Sequence, residues 1–515
     1  MADAGCGGWR VAPPAIVMAD PVVKLALRTY EKQGLWAVIG PGGVFHPSAF
    51  IKMGGHLAIE GALVLLCMYM LFLRAYKQGE GDLRGVLKDG EVEALVEDWE
   101  PAPLVPKQQD APSAPPRVES VLKAYTVVAG RKCVNCASSN FLGIQGDPGI
   151  AALCEKAMDK YGVGSCGPRG FYGTFDVHLS LEDRMADFMG VEGSALYAYD
   201  AATISSVIPV CCKKGDRIVA DASVNFGIQT GMCLSRSDLH YFNHNDVADL
   251  RSTLEKLMVT DGKREMKHPT FRKYLVIEGI YANSGDVAPL REIYNLAKEF
   301  KYRIIMDESF SLGVLGRRGR GLSEDVGLEP QDIDIIVASL GNSLASVGGM
   351  CIGSNAVNKS GRLNSSGYVF SASLPPFLAV AAQAAIDKLD AEPQRLEKLQ
   401  MNAKFMRREL GAIQGAKVIG NDERSPLIHL LVDPSPSRRW GASRGQSQSR
   451  EKQMNVLERI VDSAIQEGVL VDIATYCSRE RAPGPHTLRV TVSAEHSDRD
   501  IRRCARVLRD VISSQ

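Results

Sequence analysis

A mostly parallel α/β sheet, a smaller C-terminal α+β domain and one membrane-spanning helix ahead of both make up the architecture that this sequence predicts. Three observations carry that expectation. Short apolar runs alternate with helix-length segments from about residue 121 to about 385. Strands separated by helices pair in parallel, and burial on both faces makes them read as near-continuous apolar runs. A charged amphipathic helix over Leu396–Ile413 then opens a region where strands and helices no longer alternate. Finally, the charge-poor run Gly61–Leu73 (GALVLLCMYMLFL) lies outside both domains.

Taken from the N terminus, Asp20-Pro21 reads as a helix cap followed by the first helical residue. Val22, Val23, Leu25, Ala26 and Tyr30 would form an apolar face lying on a membrane, so 1–52 is an N-terminal segment with an amphipathic helix. Extended back to Met53, the apolar run reaches the roughly 20 residues a bilayer requires, with Glu60 as a polar intruder. A buried soluble helix is the other reading of this run. Arg74, Lys77, Arg84 and Lys88 follow it, against Lys52 alone before it. That asymmetry predicts a single-pass helix and flank over 53–77, with the C-terminal bulk in the cytosol. The run lies too deep for a cleavable signal peptide.

Residues 78–120 are polar and then proline-rich, ending in Ala114-Pro115-Pro116-Arg117, and read as an extended linker. The large domain is expected over 121–390, with strands at Ser194–Tyr199, Asp216–Ala220, Tyr274–Glu278, Arg303–Asp307 and Ile333–Ser339. The small domain, 391–515, is expected to hold strands at Leu427–Val432, Val469–Asp472 and Leu488–Val492, interrupted by the basic insertion Pro434–Glu451.

Lys+Arg and Asp+Glu both number 60, so the chain lacks the basic excess that marks a nucleic-acid binder. Its 12 cysteines follow no repeating spacing, as expected of reduced thiols in a cytosol-facing domain. Cys133-Val134-Asn135-Cys136 has CxxC spacing, but no second pair or histidine cluster completes a metal site. Packing thiols are the favoured reading.

Several motifs then appear in a fixed order. Ser138-Ser139-Asn140-Phe141-Leu142-Gly143 reads as a strand and turn, and Gly164-Ser165-Cys166-Gly167-Pro168-Arg169-Gly170-Phe171-Tyr172-Gly173-Thr174 is a glycine-rich segment. Glu278-Gly279-Ile280-Tyr281 with Gly285-Asp286 follows, then Met306-Asp307-Glu308, Ile333–Gly349, and Phe370-Ser371-Ala372-Ser373-Leu374-Pro375-Pro376. Over roughly 121–512 this series resembles the α-oxoamine synthase family of pyridoxal-phosphate enzymes. Within that family the likeness is to eukaryotic serine palmitoyltransferases, and there to the non-catalytic, long-chain-base type of subunit. The resemblance implies the pyridoxal-phosphate-transferase fold (fold type I).

Departures from the family pattern fall on the groups that do chemistry. Asn342 stands where the family carries its Schiff-base lysine, and an amide cannot condense with the cofactor aldehyde. Between Asp307 and Phe370 the only lysine is Lys359, well past the motif. Phe310 replaces a histidine near the cofactor oxygen, and Asp221 is read at the position of the ring-stacking histidine. Asp200 sits in the turn expected to grip the phosphate, which a carboxylate repels. Thr487 stands where an arginine would hold the substrate carboxylate. Asp307, the family's partner for the pyridine nitrogen, is retained but reads as vestigial.

Cys166, Ser371, Ala372 and Ser373 survive beside this loss. In homodimeric relatives these stretches reach the neighbour's cofactor, so the resemblance implies that they complete a partner's site. It further implies a heterodimer with a homologous lysine-bearing subunit that binds the pyridoxal phosphate and condenses serine with palmitoyl-CoA to 3-ketosphinganine. An endoplasmic-reticulum membrane location, contact with membrane lipid and small regulatory membrane subunits belong to the same expectation. A stand-alone scaffold or lipid-sensing pseudoenzyme of this fold is the alternative.

Overall fold

The computed structural model describes residues 116–267, 271–432, 446–477 and 480–514, with eight isolated positions before them. The amphipathic helix expected within 1–52, nearly all of the span and flank over 53–77, most of the linker up to residue 115 and most of the 434–451 insertion lie outside the described residues. Among the described residues, no helix is long and apolar enough to cross a membrane. The chain divides into two units, 1–113 and 114–515, and the second carries the fold described below.

This unit opens with a hairpin of β1 (Tyr125–Val128) and β2 (Arg131–Asn135). Its two-residue turn, Ala129-Gly130, has positive φ at both positions (49° and 72°), the geometry whose twist matches paired strands. Next come β3 (Gly193–Tyr197), β4 (Arg217–Asp221), β5 (Asp238–Phe242), β6 (Lys273–Glu278), β7 (Arg303–Asp307), β8 (Ile335–Ser339) and β9 (Gly349–Gly353). They form one seven-stranded sheet in the order β3-β9-β8-β7-β6-β4-β5, with β9 alone antiparallel to its neighbours. The remaining strands, β10 (Ala416–Ile419), β11 (Leu427–Val432), β12 (Val469–Leu470), β13 (Asp472–Ile473) and β14 (Leu488–Thr491), belong to the C-terminal region. Four of them form an antiparallel sheet in the order β10-β11-β14-β13.

The flanking helices follow from their sequences. Leu290–Phe300 buries Leu290, Ile293, Leu296, Ala297 and Phe300 along one stripe and ends at Lys301 in the left-handed conformation (φ 59°). Each large apolar side chain so buried contributes about 1.5–3 kcal/mol, so a polar residue at Ile293 would detach the helix.

The sequence assigns residues 121–136 to the large domain, whereas their contacts lie in the C-terminal core. β2 pairs in parallel with β12. Val128, Cys133, Val134 and Cys136 are buried together with Met406, Leu457, Leu488, Cys504 and Leu508. Residues 133 and 136 are therefore packing thiols, and the Cys136 thiol, pushed well up by its hydrogen bond to Cys504 and by burial, stays protonated.

Parallel strands all point their C-terminal ends the same way. Asp221, Glu278, Asp307 and Ser339 close β4, β6, β7 and β8, so their side chains collect at one edge of the sheet. Open α/β sheets place their ligand clefts at that edge.

Candidate functional site

Asp307 anchors the cleft. Its buried carboxylate accepts from the Ser309 backbone N–H at 2.9 Å and from Asn225 Nδ2 at 3.2 Å. Asn225 is held from three sides. Its Oδ1 caps the helix Phe226–Ser235 by accepting from Ile228 N (3.1 Å), and its own N–H donates to Glu278 Oε1 (2.7 Å). Glu278 Oε2 also accepts from Ala282 N at 3.0 Å. Burial, then the charge of Asp307, pushes the Glu278 carboxyl up to about 8. Burial raises Asp307 as well, with the Asp200 charge acting the same way. Burial likewise lifts neighbouring Glu308 to about 7, although Ser311 and the Leu322 and Ser323 amides favour its ionised form. None of Asp200, Glu278, Asp307 and Glu308 forms an ion pair with a described basic residue.

Asn342 lies just beyond β8, where its Nδ2 donates to the Ser309 carbonyl at 2.6 Å. Lys359, the only lysine nearby in sequence, is exposed on the helix Asn355–Asn364. Asp200 is the first residue of the helix Asp200–Cys211 and is exposed. Its carboxylate accepts from Ala201 N (2.8 Å) and from Ser339 Oγ (3.0 Å), while Ser339 Oγ accepts from Gly341 N (2.9 Å). A helix N terminus stabilises an anion through its free N–H groups and dipole, and here the chain supplies that anion itself.

One sequence expectation needs correction. Asp221 does not face the cleft. It is fully buried at the end of β4, accepting from Ser223 N (2.8 Å), Asn245 N (2.9 Å) and Tyr281 Oη (3.0 Å) and pairing with His244 Nδ1 at 2.9 Å. Burial works to lower the His244 pKa, but Asp221 and Asp286 outweigh it and raise it to about 9. The residue that faces Asp307 from this loop is Asn225, four positions later, because β4 ends at Asp221 and Asn225 caps the helix that begins at Phe226. Its signal in sequence was an asparagine at a helix start, a common cap. Thr487 is buried against His429, whose Nδ1 lies 2.8 Å from Thr487 Oγ1. Burial and the charge of Arg489 hold His429 down at about 4, so it is neutral. Phe310 is half-buried, its ring 6.4 Å from that of Phe141.

Cys166, Ser371, Ala372 and Ser373 come together on a second feature, a ledge. Pro168 and Ala372 form an antiparallel bridge. Ser373 N and Oγ both donate to the Gly167 carbonyl (2.9 and 2.8 Å), and Ser165 Oγ donates to the Ser373 carbonyl (2.7 Å). Ser373 is buried, while Ala372 and Cys166 are exposed. Sequence reasoning missed the pair beneath this ledge, a bidentate bridge between Arg169 and Glu182 with side chains only 4% and 3% exposed.

In such a cleft pyridoxal phosphate would require an amine for its aldehyde, a free anion site for its phosphate and an open carboxylate for its ring nitrogen. The amine is absent at Asn342, Asp200 occupies the helix N terminus, and Asn225 Nδ2 already donates to Asp307. These residues do not fit the cofactor.

The family model for aminotransferase class I and II matches residues 131–508. The chain is 42% identical over 466 residues to long chain base biosynthesis protein 1b of Oryza sativa subsp. japonica, covering 90% of this chain and 93% of that protein. It is 40% identical over 461 residues to serine palmitoyltransferase 1 of Dictyostelium discoideum, covering 89% and 94%. Among solved structures it is similar to Sphingomonas wittichii serine palmitoyltransferase, with a TM-score of 0.67 and 26% identity over 82% of this chain and 96% of that one.

Proposed function

The chain belongs to the aminotransferase class I and II family, among its serine-palmitoyltransferase-related members, and from that premise we propose that it is the non-catalytic, long-chain-base-1-type subunit of a membrane-bound serine palmitoyltransferase. The assembled enzyme condenses serine with palmitoyl-CoA, releasing carbon dioxide and coenzyme A, to give 3-ketosphinganine for sphingolipid synthesis. In this reading a homologous subunit with the lysine binds pyridoxal phosphate. This chain stabilises that subunit, lends its ledge to the shared interface and anchors the pair at the endoplasmic reticulum through residues 53–73. Small membrane subunits would regulate the pair.

One observation carries the reading: each group in the cleft that would hold a cofactor is already engaged by the chain itself. A cleft so satisfied gains nothing by binding pyridoxal phosphate, while the ledge next to it keeps the residue types expected to face a partner. The sequence relationship to proteins named serine palmitoyltransferase 1 in Dictyostelium discoideum and Saccharomyces cerevisiae supports the subunit assignment.

The test is to purify the full chain from detergent-solubilised membrane with and without its lysine-bearing homologue. Alone, it is expected to show no aldimine absorbance, no borohydride-reducible adduct and no condensation. Together, the two are expected to co-purify one to one and to be active. A reducible adduct on the isolated chain would overturn the non-catalytic reading. A chain that never pairs with the homologue would leave the scaffold alternative.

A further inference from the structure

We propose that the arginine-lined outer face of the C-terminal helix Asp498–Ser513 seats on the anionic headgroups of a membrane surface, an inference that rests on the membrane location proposed above. The helix is amphipathic. Ile501, Cys504, Ala505, Leu508, Val511 and Ile512 fill the C-terminal core. Arg499, Arg502, Arg503, Arg506 and Arg509 recur at the spacing of helical turns and form one stripe on the opposite side. Arg499, Arg502, Arg506 and Arg509 are exposed, and among the described residues none of the four forms an ion pair with an acidic side chain. Arg503 donates to the Glu467 carbonyl at 3.1 Å. Two acids on the same groove, Asp498 and Glu409, are already answered by Lys398 (3.8 Å) and Arg408 (3.4 Å). Only Asp510 and Glu467 oppose the stripe from within the groove, so positive charge predominates there. Like charges held side by side repel, and an anionic surface relieves that repulsion.

Arginines alone would describe a solvated face, but two further observations point to lipid. The first is apolar. The helix Gln394–Gly411 packs beside the arginine helix and places Met401, 57% exposed, one turn from Phe405. The guanidinium groups of Arg408 and Arg502 lie 4.8 and 5.4 Å from the centre of the Phe405 ring. Apolar tips set among arginines match the boundary between acyl chains and headgroups, where guanidinium groups meet phosphates. A partner bound by charge alone would gain nothing from Met401.

The second observation is the path of the chain. Tyr125 of β1 is hydrogen-bonded to Asp500 on the arginine helix, and Lys132 of β2 lies over the Tyr125 ring at 4.8 Å, adding a cation to the groove. The chain enters this unit along the same strand: Val118 bridges Val128, and Glu119 N donates to the Val127 carbonyl at 2.8 Å. The sequence that follows the apolar run 53–73 therefore joins the unit beside the arginine face.

The full chain, paired with its lysine-bearing homologue and placed in lipid nanodiscs, tests the idea. One disc is phosphatidylcholine alone; the other is phosphatidylcholine and phosphatidylserine in equal parts. The readout is the rate at which phenylglyoxal modifies Arg502, Arg506 and Arg509, resolved by mass spectrometry. The anionic disc is expected to slow all three by about 5-fold, the factor that one basic residue near such a surface contributes. Salt at about 1 M, where the screening length is about 3 Å, is expected to restore the rates. Combining Arg499→Gln, Arg502→Gln and Arg506→Gln is expected to abolish protection of Arg509. The matching triple change to Lys is expected to retain it, and both variants should melt like the unmodified chain. Equal rates in the two discs overturn the proposal and leave the anchor reading intact. Protection that survives the Gln variant, or is lost in the Lys variant, also overturns it, because charge would not be its cause. A pair that enters neither disc and ignores anionic vesicles overturns both readings, whereas one that binds only anionic lipid, with these arginines protected, overturns the anchor alone.

Discussion

The cleft around Asp307 and the ledge around Ser373 lie in one unit of the chain, yet they have opposite relations to solvent. In the cleft, polar groups satisfy one another: Asn225 serves Asp307, Ser339 serves Asp200, and Asn342 serves the Ser309 carbonyl. On the ledge, hydrogen bonds are spent on shape, and Phe171, Tyr172, Cys166 and Phe370 face outward. A polar site with no ligand to bind must satisfy its own donors and acceptors, because each unmet group costs about 1–3 kcal/mol. A surface that meets a partner must instead hold its shape before the partner arrives. In the reading proposed above function lies on the ledge, and each prediction below acts on one side of this contrast.

The largest effect is expected beneath the ledge. Glu182→Ala would leave the Arg169 guanidinium buried and unpaired, and would also strip partners from Arg362 and the Leu196 amide. Breaking a buried pair in this way costs about 3–5 kcal/mol. Denaturant unfolding of the chain is expected to show that loss, with pairing lost alongside. Replacing both Arg169 and Glu182 by methionine is expected to recover much of the stability, because no stranded charge remains. If Glu182→Ala unfolds like the unmodified chain, the ledge is not held by this pair.

Next in size is Cys166→Trp. Cys166 is exposed with φ 55°, so an indole there overfills nothing within this chain. The stability of the isolated chain is expected to change by less than about 1 kcal/mol. Against a packed partner the same indole is expected to cost about 1–3 kcal/mol and to displace reacting groups. Condensation by the pair should fall or lose selectivity between serine and alanine, with Cys166→Ser far milder. Unchanged kinetics in an intact pair would remove Cys166 from the interface.

On the cleft side, burial and the Asp307 charge lift Glu278 to about 8, against 4.5 for a free glutamate side chain. An acid whose folded pKa is raised binds its proton more tightly in the native state. Its stabilising contribution is therefore complete below about pH 4.5 and is lost as pH rises toward 8. Glu278→Gln stays uncharged and can keep one of the two bonds, from Asn225 N, through its carbonyl, while its NH2 would face the Ala282 N–H. Between pH 5 and 8 its unfolding free energy, relative to the unmodified chain, is expected to improve by about 1–2 kcal/mol. A difference that does not change with pH would mean that Glu278 is ionised throughout.

Much of this contrast was legible in the sequence, for reasons specific to each part. Arg303–Asp307 and the core of Ile333–Ser339 were readable because buried parallel strands are continuously apolar. Asp238–Phe242 (DLHYF) was not: it is an edge strand, half-buried and polar. Nor was Gly349–Gly353 (GMCIG), where small residues permit close packing against Thr203 and Asp200 while hiding the strand pattern. In the site, Asn342 could be read because no amide replaces an amine. Asn225 could not, since its importance depends on where β4 ends, and a register error of four residues moved attention to Asp221. Arg169 and Glu182 stand 13 residues apart and meet only through the tertiary fold.

The smallest expected effect comes from restoring the missing amine alone. Asn342→Lys would free the Ser309 carbonyl, which is only half-buried and can turn to water, so the fold is expected to survive. The new ammonium would enter a cleft holding Asp307 and Asp200, both acids, and an attractive charge keeps a lysine protonated. A protonated amine does not attack an aldehyde. The phosphate would still meet Asp200 at the helix N terminus. The isolated variant is therefore expected to give no aldimine band and no condensation. Adding Asp200→Gly removes the competing anion, and that double variant is expected to bind inorganic phosphate more tightly than Asn342→Lys does, still without turnover. Measurable condensation by the single variant would mean that the missing lysine was the only barrier, and that the engaged cleft described above opens readily to a cofactor.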